Sequence, residues 1–440
     1  MDLHVGRRLT SAEISSLLSE ARSRTLLLTG VLSDEDLRLQ HDTLMSPIVW
    51  DLGHIGHFEE VWLVENMVNG STGSEGLRGI YDPFENPRAL RNELPMPSRS
   101  ECLGYLDTVR RTVLERLASI DLGADAPLLR DSFVYRMVLQ HEYQHNETIL
   151  QTLQLKRGDP YAAPGRGEAP AVETDAPLPG TMVRFPGGTV VLGTDDRSLA
   201  YDNERPEHEV TLEAFWIDVH SLTNGEYLGF LEDGGYERRE FWSGAGWAWK
   251  READLVAPAY WLRRGDDWYE RFMEQTICLA PTSPVCHICY WEAEAYATWA
   301  GRRLPTEAEW EAASSWDPGT GTKRLYPWGD VVPSRERANL DALLFQPAKV
   351  GSYPQGVSPI GCWGMIGDVW EWTSTDFRPY PGYETFPYPE YSEVFFGNEY
   401  KVLRGGAWAT RFGAIRNTFR NWDYPIRRQI FSGVRCARDD

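Results

Sequence analysis

At 440 residues the chain exceeds one ordinary domain, and two packed units are expected. Its 42% hydrophobic and 12% aromatic content suffices for closed cores, while the absence of any run of about 18 apolar residues argues against a membrane span. The formal net charge of −21 repels a polyanion and excludes general nucleic-acid binding.

In chain order, Met1 to Arg8 has no apolar core of the kind a secretory leader needs. The capping-box pattern Thr10-Ser-Ala-Glu13 then opens a helix whose Ile14, Leu17, Leu18 and Ala21 fall on one face. Ser46-Pro47 reads as an N-cap and first-turn proline opening a second helix through about Val68, with Trp50, His54, His57 and Val61 near one stripe. Ser98-Arg-Ser-Glu101 opens a third helix, and a fourth is expected from about Pro127 to Lys156. Successive amphipathic helices of this kind imply a four-helix bundle over residues 1–156, an architecture that builds metal sites from facing helices.

The fourth helix carries His141-Glu-Tyr-Gln-His145-Asn-Glu147. Imidazoles at i and i+4 share one helix face, with Cβ atoms about 5–6 Å apart, and can close on one metal ion. The same spacing also suits two surface histidines. A third ligand could come from His54 or His57 on the second helix.

Residues 157–180 are rich in Pro, Gly and Ala and read as a linker. From 181 to 440 short alternating runs, Thr189-Val-Val-Leu-Gly and Glu209 to Asp218, predict strands, with a helix after the capping pattern Pro305-Thr306-Glu-Ala-Glu309. This half reads as α+β. Arg416, Arg420, Arg427 and Arg428 crowd together, which fits either an anion-binding spot or a salt-bridge network. Cys286-His-Ile-Cys289 has the spacing of a zinc or redox half-site. On a strand, as expected here, the two thiols would face opposite sides, so buried structural cysteines are the better reading. Six scattered cysteines make no disulfide framework and favour the cytoplasm.

The helical part resembles DinB-type bundles, whose members often hold a metal on three histidines. The second part resembles the formylglycine-generating-enzyme/sulfatase-modifying domain, a C-type-lectin-like fold. It does so through Asp202-Asn-Glu-Arg-Pro-Glu-His208, Gly301-Arg-Arg-Leu-Pro-Thr-Glu-Ala-Glu-Trp310, Tyr326-Pro-Trp-Gly, Gly367-Asp-Val-Trp-Glu-Trp372 and Arg404-Gly-Gly-Ala-Trp408. The two joined resemble the ergothioneine-pathway sulfoxide synthases. The more specific marks are Leu44-Met-Ser-Pro-Ile-Val-Trp-Asp-Leu-Gly-His54-Ile-Gly, His141-x3-His145-x-Glu147 and Arg420-Asn-Trp-Asp-Tyr-Pro-Ile-Arg-Arg-Gln429.

That resemblance implies a non-haem Fe(II) enzyme with no organic cofactor, coupling γ-glutamylcysteine to hercynine (trimethylhistidine) with O2. It implies His54, His141 and His145 as ligands, with His57 a neighbour or core residue; Glu147, two positions along the helix from His145, should point away from the metal and act structurally or behind the ligands. It further implies Tyr388, within Tyr388-Pro-Glu-Tyr391-Ser392, as the catalytic proton donor, and Gln144, Asn421 and Trp422 as hercynine contacts. For the thiol it implies Arg88 and Arg91 on the carboxylates and Asp423 on the ammonium group. The active site would then lie between the domains. Free cysteine is the alternative thiol.

A DinB-type thiol S-transferase needing no O2 is a rival enzyme reading, and a ligand-capturing module with a structural metal is a rival of another class. Ovothiol-pathway relatives commonly carry a methyltransferase domain at the C-terminus, for which this chain leaves no room. Formylglycine-generating chemistry needs a cysteine pair, and Arg404 to Asp423 contains no cysteine, with Cys436 alone beyond it.

Overall fold

The structure is a computed structural model, which describes residues 6–68, 72 and 78–440. The chain divides into two compact units, one running to Pro164 and including Asp196–Leu199, the other comprising Gly165–Asp195 and Ala200–Asp440. Among the described residues no helix is long and apolar enough to cross a membrane.

The first unit is built on helices α1 (Ser11–Thr29), α2 (Ile48–Glu60), α3 (Arg99–Leu117) and α4 (Phe133–Gln154). The capping boxes expected at Thr10/Glu13 and Ser98/Glu101 both form. Ser46 does not cap α2. The N-cap position is Pro47, without a side-chain bond, and the Ser46 hydroxyl instead accepts from Arg91 Nη1 at 2.6 Å. After Glu60 the helix passes into a π turn, Val61–Glu65. The fourth helix starts at Phe133 rather than near Pro127, because Asp131 and Ser132 take left-handed φ values of 51° and 60° that a helix cannot contain.

Small residues set the spacing around α2. A Cβ on Gly56 would lie 2.6 Å from Leu106 Cδ2, so α2 and α3 approach closely only because Gly56 is bare. A buried ionic quartet takes one residue from each helix. Arg22 of α1 meets Glu59 of α2 at 2.8 Å and Glu142 of α4 at 2.9 Å, while Arg110 of α3 meets the same two carboxylates at 2.5 and 3.3 Å.

The second unit begins with β1 (Met182–Phe185), β2 (Gly188–Leu192), β3 (His208–Leu212) and β4 (Phe215–Asp218). The run expected over 209–218 therefore splits in two: β3 pairs with β2, while β4 pairs with β1. A meander follows, β5 (Trp261–Arg264), β6 (Asp267–Phe272) and β7 (Gln275–Cys278), and later β8 (Trp370–Asp376), β9 (Lys401–Arg404), β10 (Asn421–Asp423), β11 (Ser432–Gly433) and β12 (Ala437–Asp439). These last strands form a four-stranded sheet in the order β10-β9-β8-β11, and β12 closes on β4. Helix α5 (Glu307–Ser315) carries the expected Thr306/Glu309 capping box and buries Trp310 with Phe185, Phe215, Ile217 and Met365.

Residues 286–289 are not a strand. Cys286 and Cys289 lie buried in an irregular segment leading into a helix at Tyr290, and His287 between them has φ 64°. Burial holds both thiols well above their usual pKa, so they remain inert in structural roles.

Candidate metal centre

Helices α2 and α4 bring His54, His141 and His145 together, with one donor nitrogen from each lying within 4.8 Å of the others. His54 Nε2 and His141 Nε2 stand 3.3 Å apart. Two of the rings are fixed from outside the trio. His54 Nδ1 bonds the Tyr81 carbonyl at 2.9 Å, which assigns the proton to Nδ1 and leaves Nε2 a lone pair. Gly53 makes this contact feasible, since a Cβ there would fall 2.0 Å from the Tyr81 ring. Trp50 stacks on His54 at 4.8 Å and 13°, and Phe58 stacks on His141 at 3.7 Å and 8°.

Burial, with the neighbouring imidazole of His145 adding to it, holds His54 and His141 well below the usual histidine pKa. Both are therefore neutral at physiological pH, the state in which an imidazole ligates. His54 Nε2 faces His141 Nε2 with its lone pair, and a cation between the two neutral rings would take a lone pair from each. The donor set thus fits a divalent metal held by three imidazoles, with positions left for small molecules. Nitrogen donors alone do not separate iron from zinc.

His57 lies outside the trio, half-buried with its ring 6.4 Å from Tyr81. Glu147 is buried and also not among the converging donors. Gln144 precedes His145 on α4 and is half-buried. Arg88 is exposed, whereas Arg91 is buried, bonded through Nε to the Asn86 carbonyl at 2.9 Å, and stacked 3.5 Å over Trp50. Burial lowers the Arg91 pKa to about 10, still leaving it charged.

In the second unit, Tyr388 is half-buried ahead of the turn Pro389–Tyr391. Asp202 anchors its segment on both sides, accepting from the Phe386 N–H at 3.2 Å and from the Ser392 hydroxyl. Burial, reinforced by the nearby Tyr201 and Asp202, raises the Tyr388 phenol well above its usual pKa, so it stays protonated. Strand β10 pairs Asn421 with Leu403 and Asp423 with Lys401. Strand alternation puts Asn421 and Asp423 on one face and Trp422 on the other. Trp422 stacks on Phe377 at 4.0 Å and meets Tyr391 edge-on at 5.8 Å. The arginine cluster is a salt-bridge network: Arg416 pairs with Glu204, Arg420 with Glu307 at 2.7 Å, Arg427 with Asp423 at 3.2 Å and Arg428 with Glu292 at 2.9 Å.

Sequence reasoning missed Phe58 and Tyr81 as supports of the histidines and Asp51 as a neighbour of His145. Phe58 and Asp51 lie at i+4 and i−3 from His54 and were open to the same helix-face argument. Tyr81 lies 27 residues away, and no local pattern announces it.

Residues 17–149 match the DinB superfamily model, and residues 168–440 match the Sulfatase-modifying factor enzyme 1-like domain. The chain is 46% identical over 439 residues to hercynine oxygenase of Mycolicibacterium thermoresistibile, covering 97% of this chain and 95% of that one. It is also 46% identical to hercynine oxygenase of Mycobacterium tuberculosis, covering 98% and 100%. The formylglycine-generating enzyme of Bos taurus is 30% identical over 288 residues, covering 59% of this chain and 75% of its own. With near-complete coverage of both chains, a helical DinB-type part and a sulfatase-modifying-factor part in the same order, the chain belongs to the hercynine oxygenase family of sulfoxide synthases and is an oxygenase.

Proposed function

We propose that this protein is an iron(II)-dependent sulfoxide synthase that joins the sulfur of γ-glutamylcysteine to the imidazole of hercynine at the expense of O2. The observation that carries the reading is the convergence of three imidazoles, two of them held neutral, in a chain of this family. The reaction balances as thiol plus imidazole C–H plus O2 giving the joined sulfoxide and one water. One oxygen atom ends on sulfur, and the other leaves with the two hydrogens.

When bound, iron(II) supplies O2 activation and favours the thiolate over the thiol. The chain supplies position and protons. His54, His141 and His145 hold the metal. Arg88 and Arg91 take the two carboxylates of γ-glutamylcysteine; Arg91 has Nε and Nη1 engaged by Asn86 and Ser46, which leaves Nη2 for the ligand. Asp423 receives the ammonium group. Gln144, Asn421 and Trp422 recognise hercynine, whose quaternary ammonium suits an aromatic wall. Tyr388, protonated at neutral pH, delivers the proton that favours coupling over oxidation of the thiol to a sulfinic acid.

The test is mass spectrometry on iron(II)-loaded protein given hercynine, γ-glutamylcysteine and air, beside an anaerobic control. The expected result is an O2-dependent joined sulfoxide, with free cysteine a poorer thiol. An adduct formed under nitrogen with zinc-loaded protein would instead establish thiol transfer.

A further inference from the structure

Asp51 has an unusual setting for a carboxylate. It is 1% exposed, on the inward face of α2 one turn before His54, and Oδ2 is buried without a hydrogen-bond partner. Among the described residues no lysine or arginine nitrogen comes within ion-pair distance of it. The charged-group contact it does make is with His145 Nδ1, 3.3 Å from Oδ1. That nitrogen is itself buried and not aligned into a hydrogen bond. The unpartnered ring nitrogen thus lies 3.3 Å from a buried carboxylate oxygen, close enough for an Nδ1–H···Oδ1 hydrogen bond, with the Arg91 charge also acting on Asp51. Leaving such groups unpaired costs about 1–3 kcal/mol each.

We propose that Asp51 is a positioning residue for the metal centre, accepting the Nδ1–H of His145 and so presenting Nε2 of that ring as the ligand. The inference rests on the three-histidine metal reading and extends it to the residue that selects the tautomer of the third ligand. The other two rings have supports of their own: the Tyr81 carbonyl selects the tautomer of His54, which also stacks on Trp50, and the stack on Phe58 fixes the plane of His141. His145 is the least buried of the three, and among the described residues the group beside its Nδ1 is the Asp51 carboxylate. A carboxylate behind a ligating imidazole also raises the basicity of the ring, and its loss typically weakens metal binding roughly 10- to 100-fold.

The experiment is a chelator competition with cobalt(II) and iron(II) on the full-length chain, read by affinity and by the visible ligand-field bands of the cobalt form. Wild type, Asp51→Ala, Asp51→Asn and His141→Ala are compared, with circular dichroism to confirm folding. Asp51→Ala is expected to bind metal roughly 10- to 100-fold more weakly with shifted cobalt bands. Asp51→Asn, whose amide oxygen still accepts from Nδ1–H, is expected to recover the band positions and part of the affinity. Wild-type affinity and bands in Asp51→Ala would overturn the proposal, as would an Asp51→Asn variant no better than alanine. If Asp51→Ala fails to fold, Asp51→Asn decides alone: weaker metal binding with wild-type band positions supports the proposal, and wild-type affinity overturns it. Wild-type affinity in His141→Ala would instead overturn the metal reading itself.

Discussion

Tyr388, proposed as the proton donor, is a phenol whose pKa burial raises. Its replacement by phenylalanine removes that proton while preserving the ring among Tyr391 and its neighbours. Tyr388→Phe is therefore expected to shift product from the joined sulfoxide toward the sulfinic acid of the thiol. Product ratios by mass spectrometry check this, and unchanged partitioning would remove Tyr388 from the mechanism. The two arginines differ in setting, and so should their variants. Arg88 is exposed, so Arg88→Ala is expected to raise KM for γ-glutamylcysteine by roughly 10-fold or more, the scale of one charge-assisted hydrogen bond, with little change for hercynine. Arg91 also stacks on Trp50, which in turn backs His54, so Arg91→Ala should lower kcat as well. Equal losses for both substrates in Arg88→Ala would refute its assignment.

Between elements, the quartet of Arg22, Glu59, Arg110 and Glu142 ties α1, α2, α3 and α4 at one level, adjacent in sequence to His141. Removing one member leaves an uncompensated buried charge, and Glu142→Ala is expected to cost about 3–5 kcal/mol in urea unfolding of the first unit. Exchanging all four for apolar side chains of similar volume should cost far less, because desolvation and attraction then vanish together. A loss below about 1 kcal/mol in Glu142→Ala would show that water reaches the site. Burial alone would raise the Glu142 pKa, but Arg22 and Arg110 pull it below the usual carboxylate range. Its contribution is accordingly full above the unfolded value of about 4.3 and is lost as pH falls through the lower folded value.

Across the whole molecule, stability against pH carries the opposite sign at Glu270 of the second unit. This carboxyl is 4% exposed, and burial pushes its pKa up to about 7 although Asn224 donates to it. Because the folded value is raised, its favourable contribution is complete below the unfolded pKa and disappears as pH rises through about 7. The isosteric Glu270→Gln is expected to stabilise the protein by up to about 3 kcal/mol at pH 8, with the gain falling to about 1 kcal/mol at pH 5. Denaturant unfolding of the second unit at the two pH values tests this, and an equal effect at both would exclude titration as the cause.

Local rules determined much of what mattered here. Capping boxes placed the starts of α1, α3 and α5, and the i, i+4 spacing of His141 and His145 announced a shared helix face, because these features depend on residues within one turn. Motif resemblance supplied His54 in preference to His57, which spacing on α2 left open. What the tertiary structure decided was everything that joins distant segments. The Ser46 hydroxyl turned to Arg91 instead of capping α2, Asp131 and Ser132 broke the fourth helix, and the run from 209 to 218 divided between two sheets. The arginines near the C-terminus became ion-pair partners of Glu204, Glu307 and Glu292 because acidic side chains up to 212 residues away close around them. The rings that back His54 and His141 and the carboxylate beside His145 follow from how α2 and α4 face each other. Spacing along one helix can nominate ligands, but only the packing of two helices sets which nitrogen each ligand presents.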